Sequence, residues 1–509
     1  MRPKTVGALS ALGMFFTSVT VYSLTPNGGF GAPEVPPEVA GSTLTWSGRA
    51  VPEAGSDPSH FLVEEALRIE GRLGHSSVQR QGRSETFVML ELQGETGAAT
   101  APAAAGGQLA IVLDQSGSMR GSRLANAKSA ALRAIDGLRD GDIVSVVSFD
   151  TRARVVVSPT RLDGSTRRQV TGAVQAIPLG GDTCISCGVD VAIAELNRAQ
   201  TAGGGAKRML VLSDGDANNG VRDVVGFRDL GKRALDLGVE ITTVGVSLEY
   251  NELFLGAVAE TSNGRHYFVE NDAGLVRVFE EEARFATGTV ASDVVVEVEL
   301  SPGVQLTRVF DRTFSRSGST LRIPVGALSR GELKTVLLQV TLPGAPSGAP
   351  GETQPVVTTR IHRRDAATGA SIDTERTLAA RLVDDRASAS PLDAVVAARL
   401  QRTETASILE RANELARKGK LDEARLTLAQ GRDALGANAD AAKESKPSSR
   451  SKNVSDDFDD QSRALAAAEK DFSAAPVVAA LGALPAAPKK PAPSAGTKRA
   501  VESANAYRR

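Results

Sequence analysis

The sequence predicts an α/β fold: a doubly wound, mostly parallel six-stranded sheet, flanked by a β-sandwich and followed by a C-terminal helical hairpin. Three observations predict it. Between residues 108 and 287, six short apolar runs alternate with amphipathic stretches, which is the rhythm of βα units. Several of those runs have continuous apolar character, such as LAIVL within QLAIVLD (108–114) and MLVL within RMLVLSD (208–214), which fits strands buried on both faces. From 290 to 385 the pattern becomes two-residue alternation, as in DVVVEVELSPG and LKTVLLQVTLPG, the mark of strands with one face on a core.

The elements follow in order. A chain of 509 residues is too long for one core, so several domains are expected. Arg2 and Lys4 precede an uncharged run from 5 to 24, which is the physical form of an export signal. The run is long for a cleaved signal and just long enough to span a bilayer. Residues 1–24 therefore read as a signal peptide or an uncleaved membrane anchor, and the chain as exported to the periplasm or cell surface. Residues 25–107 form an N-terminal β segment, with SETFVMLELQG (84–94) its clearest strand, and a linker, TGAATAPAAAGG, that has nothing to bury. That strand suits the sandwich, which would make the α/β domain an insertion within it.

Residues 108–287 are the α/β domain. Its strands are QLAIVLD, DIVSVVSFD, ARVVVSP, RMLVLSD, VEITTVGV and RHYFVE. Residues 288–385 are the β-sandwich, including the pair VTTRIHRR and DTERTLAARL around DAATGA. Residues 391–436 read as two helices joined at RKGK, with apolar and Ala positions at helical spacing. From 437 to 509, Ala, Pro, Lys and Ser dominate and imply a mostly disordered tail, with QSRALAAAEKDF its one ordered candidate.

The charge balance, 59 basic against 60 acidic residues, gives no basic excess and excludes nucleic acid as an expected partner. Membrane contact is expected only through residues 5–24, if uncleaved.

Two apolar strands end in Asp, at Asp114 and Asp214. In an open parallel sheet, ligands bind beyond the carboxyl ends of the strands, where strand order reverses. If these two strands are neighbours there, their carboxylates share one crevice, and Ser116 and Ser118 add hydroxyl oxygens. An all-oxygen set suits a hard divalent cation, most naturally Mg²⁺; Mn²⁺ and Ca²⁺ are also accepted by such donors. With few carboxylates in the set, the cation would seek one more anionic oxygen, such as an Asp or Glu of a partner protein. Catalytic alternatives fail on spacing: Asp114 and Ser118 stand where a nucleophile elbow needs glycines, and HExxH, P-loop and GxGxxG patterns are missing from the sequence.

LDQSGSM, GGDTCISCGV and LVLSDGDANNG together resemble the three loops of the metal-ion-dependent adhesion site of von Willebrand factor A domains. The resemblance implies that Asp114, Ser116, Ser118, Thr183 and Asp214 hold the metal. It covers residues 108–287 and extends to VGVSLEYNELFLGAVAETSNGRHYFVE. The layout is also similar to exported bacterial relatives of inter-alpha-trypsin-inhibitor heavy chains and calcium-activated chloride channel homologues. One departure stands beside the site: Cys184 follows Thr183 where many relatives have Asn, and Cys187 comes a helical turn later. These, the two cysteines of the chain, form either a local disulfide or a pair of thiols, with a redox role as the alternative. The expectation is a non-enzymatic, metal-dependent adhesion or scaffold module at the cell envelope. The alternatives are an accessory subunit of an envelope enzyme or assembly complex, and a thiol-redox protein.

Overall fold

The computed structural model describes residues 57–95, 106–199, 205–246, 248, 250–444, 451–473 and 495–508. The leader at 1–24 lies outside them. The chain begins with β1 (His60–Val63), β2 (Leu67–Leu73), β3 (Ser77–Gln79) and β4 (Ser84–Gly94). The α/β domain then runs β5 (Gln108–Asp114), α1 (Ser122–Gly137), β6 (Ile143–Phe149), β7 (Ala153–Arg161), α2 (Thr166–Gln175), α3 (Ile185–Arg198), β8 (Lys207–Ser213), α4 (Val224–Asp236), β9 (Val239–Val246), α5 (Glu252–Thr261), β10 (His266–Val269) and α6 (Asp272–Thr287).

These strands form one six-stranded sheet, ordered β10-β9-β8-β5-β6-β7. Every neighbouring pair is parallel except β6 with β7, so the expected doubly wound, mostly parallel sheet is present. Strands β5 and β6 are buried at every position because helices cover both faces. One face packs on α1, α2 and α6, with Ile135, Val174 and Phe279 in its core. The other packs on α3, α4 and α5, with Val189, Phe227 and Leu255. The antiparallel edge strand β7 is exposed at several positions, as a strand with neighbours on one side only can be.

The sandwich follows with β11 (Thr289–Leu300), β12 (Gln305–Phe310), β13 (Ser315–Ser317), β14 (Thr320–Ser329), β15 (Leu333–Leu342), β16 (Thr353–Asp365) and β17 (Ser371–Val383). Its two sheets run β1-β2-β4-β15-β12 and β13-β14-β11-β16-β17-β3. They close on a shared core that includes Ile69, Leu90, Val296, Leu338 and Ile361. Because β4 pairs antiparallel with β15 from Ser84↔Leu342 to Gln93↔Leu333, the α/β domain is inserted between strands of the sandwich. Its entry and exit lie together, since a Cβ on Gly107 would strike the carbonyl of Ala286.

The amino ends of β8 and β9 are fastened to the sandwich by buried charge. Arg208 reaches Glu240 at 3.2 Å and Glu332 at 2.8 Å, Arg265 reaches Glu282 at 3.1 Å and Glu332 at 2.6 Å, and Lys334 reaches Glu240 at 2.6 Å. Three cations thus oppose three carboxylates, which is the balance that burial of ions demands.

Helices α7 (Ala394–Arg417) and α8 (Leu421–Glu444) form the expected hairpin, turned at Gly419, whose φ is +76°. Asp393 caps α7 by accepting from the amides of Val395 and Val396. The region from 437 onward differs from a mostly disordered tail: α8 continues to Glu444, and α9 (Ser451–Ser473) and α10 (Ala495–Tyr507) follow. Phe458, Leu465, Ala468 and Phe472 recur at helical spacing on α9 and pack with Leu409, Leu428, Ala500 and Ala504. Composition misled here because small Ala side chains and one buried Lys carry the packing of α10. No helix among the described residues is long and apolar enough to cross a membrane.

Candidate metal centre

The sheet order places the candidate residues. From the central β5, the chain winds first to β6 and β7, then returns to the opposite side of β5 with β8. Strand order therefore reverses between β5 and β8, where Asp114 ends one strand and Asp214 follows the other. Both carboxylates have no exposure, while Ser116 and Thr183 are buried and Ser118 faces outward.

A turn holds Asp114: its Oδ1 accepts from the amide of Ser116 at 2.8 Å, and its Oδ2 from the Ser213 hydroxyl at 2.5 Å. Ser116 Oγ lies 3.0 Å from Ser118 Oγ, and Ser118 Oγ donates to Asp214 Oδ1 at 2.6 Å. A Cβ built on Gly215 would stand 3.3 Å from Ser118 Oγ and 3.5 Å from Thr183 Oγ1, so the third hydroxyl belongs to the same group. The structure thus brings all five sequence-selected residues into one cluster.

Neighbouring loops fix that cluster. The amide of Gly117 donates to the Gly181 carbonyl at 2.8 Å, and that of Gly180 to Gln115 at 2.6 Å. Thr183 is gripped on both sides: its amide donates to Asn218 Oδ1 at 2.8 Å, and its carbonyl accepts from the amides of Asn218 and Asn219 at 3.2 Å. Cys184 and Cys187 form a disulfide at the start of α3, with Cα atoms 5.3 Å apart.

Burial pushes the Asp114 carboxyl up to about 6. The charge of Asp214 adds to that rise, against hydrogen bonds from Ser116 and Ser213. Such a carboxylate gains from a nearby cation. Arg123, from the first turn of α1, partly supplies one, with Nη1 2.7 Å from Asp214 Oδ2. Sequence reasoning missed Arg123, as well as Ser213 and Asn218, which position the donors. An Arg on the helix after a loop reads as a solvated surface residue, and nothing in its spacing marks the contact.

The donor set fits a small divalent cation. All five side chains offer oxygen, and cis oxygens in an octahedral shell with bonds of about 2.1 Å stand about 3.0 Å apart, close to the Ser116–Ser118 separation. The missing side chain at Gly215 keeps the space beside both hydroxyls clear.

Residues 108–300 match the family model described as the von Willebrand factor type A domain. The chain carries a von Willebrand factor A domain. It is 25% identical over 247 residues to the uncharacterized protein YfbK of Escherichia coli, covering 46% of this chain and 42% of that one. It is 27% identical over 244 residues to the uncharacterized protein sll0103 of Synechocystis, covering 46% and 57%. With inter-alpha-trypsin inhibitor heavy chain H3 of rat it shares 26% identity over 38% of this chain and 22% of that one. The chain thus spans about half the length, or less, of these curated relatives. Among solved structures, a von Willebrand factor type A protein from Catenulispora acidiphila superposes with a TM-score of 0.61 at 20% identity, over 73% of this chain and 87% of that one. The ArnB paralog VWA2 from Sulfolobus acidocaldarius gives 0.52 at 14% identity, over 79% and 98%. Both likenesses extend well beyond residues 108–300 and show the fold: an A domain together with its flanking elements.

Proposed function

We propose that this chain is a non-enzymatic, metal-dependent protein-binding module of the bacterial cell envelope, an adhesion or scaffold element. Asp114, Ser116, Ser118, Thr183 and Asp214 would hold a divalent cation, Mg²⁺ by preference with Mn²⁺ or Ca²⁺ as substitutes. The cation's part is to offer a coordination position to an Asp or Glu carboxylate of a partner protein. The observation that carries the reading is the charge and donor count of the cluster. Two carboxylates and the Arg123 guanidinium sum to −1, so a divalent ion leaves the site at +1 and attractive to one more anionic oxygen.

The surface around the cluster suits such a partner. Helices α4 and α5 follow parallel strands, so their first turns lie on the face that carries the cluster, and stacking of Phe227 on Phe254 at 4.9 Å sets those turns side by side. There Val225 is 67% exposed and Leu253 39%, with Leu248 (44%) on the loop just before α5. Asn251 of that loop donates to Asp216 at 3.0 Å, next to the Asp214 turn. Leu179 (40% exposed) stands beside Gly180 on the other flank. Exposed Arg120, Arg152 and Arg222 share this face with exposed Asp182, Asp216 and Asp223, so its rim is of mixed charge. A protein segment with one carboxylate between apolar side chains complements it.

Envelope placement is supported by the basic start and apolar run of residues 1–24 and by the disulfide, a bond that persists in oxidising compartments. The deciding experiment is calorimetric titration of Mg²⁺ and Mn²⁺ into the purified chain, beside Asp114→Ala and Thr183→Ala. Binding by the parent chain and its loss in both variants is expected. An unchanged heat in either variant would refute the assignment.

A further inference from the structure

The disulfide sits against the cluster, and the proposed function gives it no part in holding the metal or the partner. Cys184 has no exposure, and Cys187 is half-buried. Cys184 directly follows Thr183, and its amide is tied to the Asp150 carbonyl at 2.8 Å. Above it lies the loop that begins at Asp214. Gly220 of that loop has φ +71°, and a Cβ there would stand 2.6 Å from Cys184 Sγ and still closer to Ser186 Oγ. One residue on, the amide of Val221 donates to Ser186 Oγ at 3.0 Å. The bonded sulfurs therefore form the floor on which the Asp214 loop rests, while Asn218 and Asn219 of the same loop hold Thr183.

We propose that Cys184–Cys187 is a thiol–disulfide exchange site whose redox state sets the metal affinity of the adjoining cluster; this rests on the metal reading above. The co-reactant is a dithiol protein or a small dithiol. Its thiolate attacks the more accessible Cys187 Sγ, the Sγ–Sγ bond breaks, and the electron pair leaves with Cys184 Sγ, which then takes a proton. The second thiol of the reductant displaces Cys187 from the mixed disulfide. Two cysteine thiols form and the dithiol becomes a disulfide, so atoms and electrons balance. Two unbonded sulfurs need more room than a bonded pair, and the Gly220 backbone lies so close to Cys184 Sγ that even a methyl there would not fit. The Asp214 loop must lift, and its bonds to Thr183 loosen. Outer-shell changes of this kind lower metal affinity by about tenfold or more.

The test compares the full chain oxidised, reduced with a small dithiol and then reoxidised. Thiol counts verify each state. Two readouts are taken: Mn²⁺ affinity by calorimetry, and amide hydrogen exchange at Thr183 and 218–221 without metal. Support is an affinity about tenfold lower after reduction, faster exchange confined to those amides, and recovery of both on reoxidation. Cys187→Ser should match the reduced state. Equal Mn²⁺ affinity in the oxidised and reduced states would overturn the proposal while leaving the metal reading intact. Absence of Mn²⁺ binding in every state would overturn both. Loss of helical circular dichroism on reduction would overturn the local mechanism, since the whole domain would then be responding.

Discussion

Replacing Lys498 by Met should release the last helix from the A domain. Lys498 of α10 has no exposure; its ammonium bonds the Tyr250 carbonyl, lies 2.7 Å from Glu252 Oε2 and sits 3.9 Å from the centre of the Tyr250 ring. Methionine fills the stem but leaves Glu252, which is 3% exposed, with Arg417 of α7 as its charge partner. Breaking a buried pair costs about 3–5 kcal/mol when nothing remains to balance the survivor. The retained Arg417 contact lowers this to about 2–3 kcal/mol, or roughly a 30- to 150-fold rise in the opening equilibrium of α10. The amide of His266 reports that opening directly, because it donates to Asn505 Oδ1 of α10 at 3.0 Å. Hydrogen exchange at His266 should accelerate by that factor while exchange in β5 and β8 stays unchanged. Glu252→Gln added to Lys498→Met should recover part of the loss, since it removes the charge left behind. Unaltered protection at His266, or a double variant no better than the single one, would refute the idea that this ion pair holds the helix.

The same contact predicts an unusual pH profile. Burial pushes His266 down to about 3 and Glu502 up to about 7. The histidine, neutral when folded, makes docking weaken as pH falls from 6.5 toward 3; the glutamate, protonated when folded, makes it weaken as pH rises from 4.5 toward 7. Between 4.5 and 6.5 the two trends cancel, so exchange at the His266 amide, corrected for intrinsic rate, should be nearly flat. Glu502→Gln should uncover a slope of up to about 1.4 kcal/mol per pH unit, stability rising with pH. At the sandwich interface, Lys334→Met should destabilise by about 2–4 kcal/mol in denaturant melts, because Glu240 keeps Arg208 but loses its contact at 2.6 Å. Gly326→Ala should also destabilise, since φ there is +86° and the new methyl would press on Glu240 Oε1; a neutral effect would contradict the observed packing.

Much of the fold was legible because the sheet writes itself into the sequence. QLAIVLD carries five apolar residues in a row, as a strand buried on both faces does, and its strand covers the whole run, Gln108–Asp114. The candidate cluster was legible for a related reason: a carboxylate at the end of such a strand has few places to go except the crevice at the strand-order reversal. What stayed hidden depends on partners distant in sequence. Lys498 reads as solvated until Tyr250 and Glu252 are brought to it from 246 to 248 positions away. Arg123 reads as a helix-surface cation until Asp214 arrives from 91 positions away. Buried charge is invisible to periodicity because the polar letter is the same whether water or a carboxylate satisfies it.

The two ends of the central strands divide the work of the molecule. On β8, Arg208 at the amino end belongs to the charged anchor on the sandwich, and Asp214 just past the carboxyl end belongs to the candidate metal cluster. At about 3.3 Å per residue, roughly 20 Å of fully buried strand separates them, beyond the range over which substitutions usually couple without shared partners. The anchor can therefore be rigid without fixing the metal loops, whose conformation is decided locally by Gly215, Gly220 and the grip of Asn218 on Thr183. Helix α10 approaches from a third direction and touches the loop after β9 at Tyr250. That loop meets the metal loop through the Asn251–Asp216 bond. Of the two attachments that tie the A domain to the rest of the chain, the helical one is thus the route by which distant parts can bias the cluster, and the charged anchor holds the domain in place.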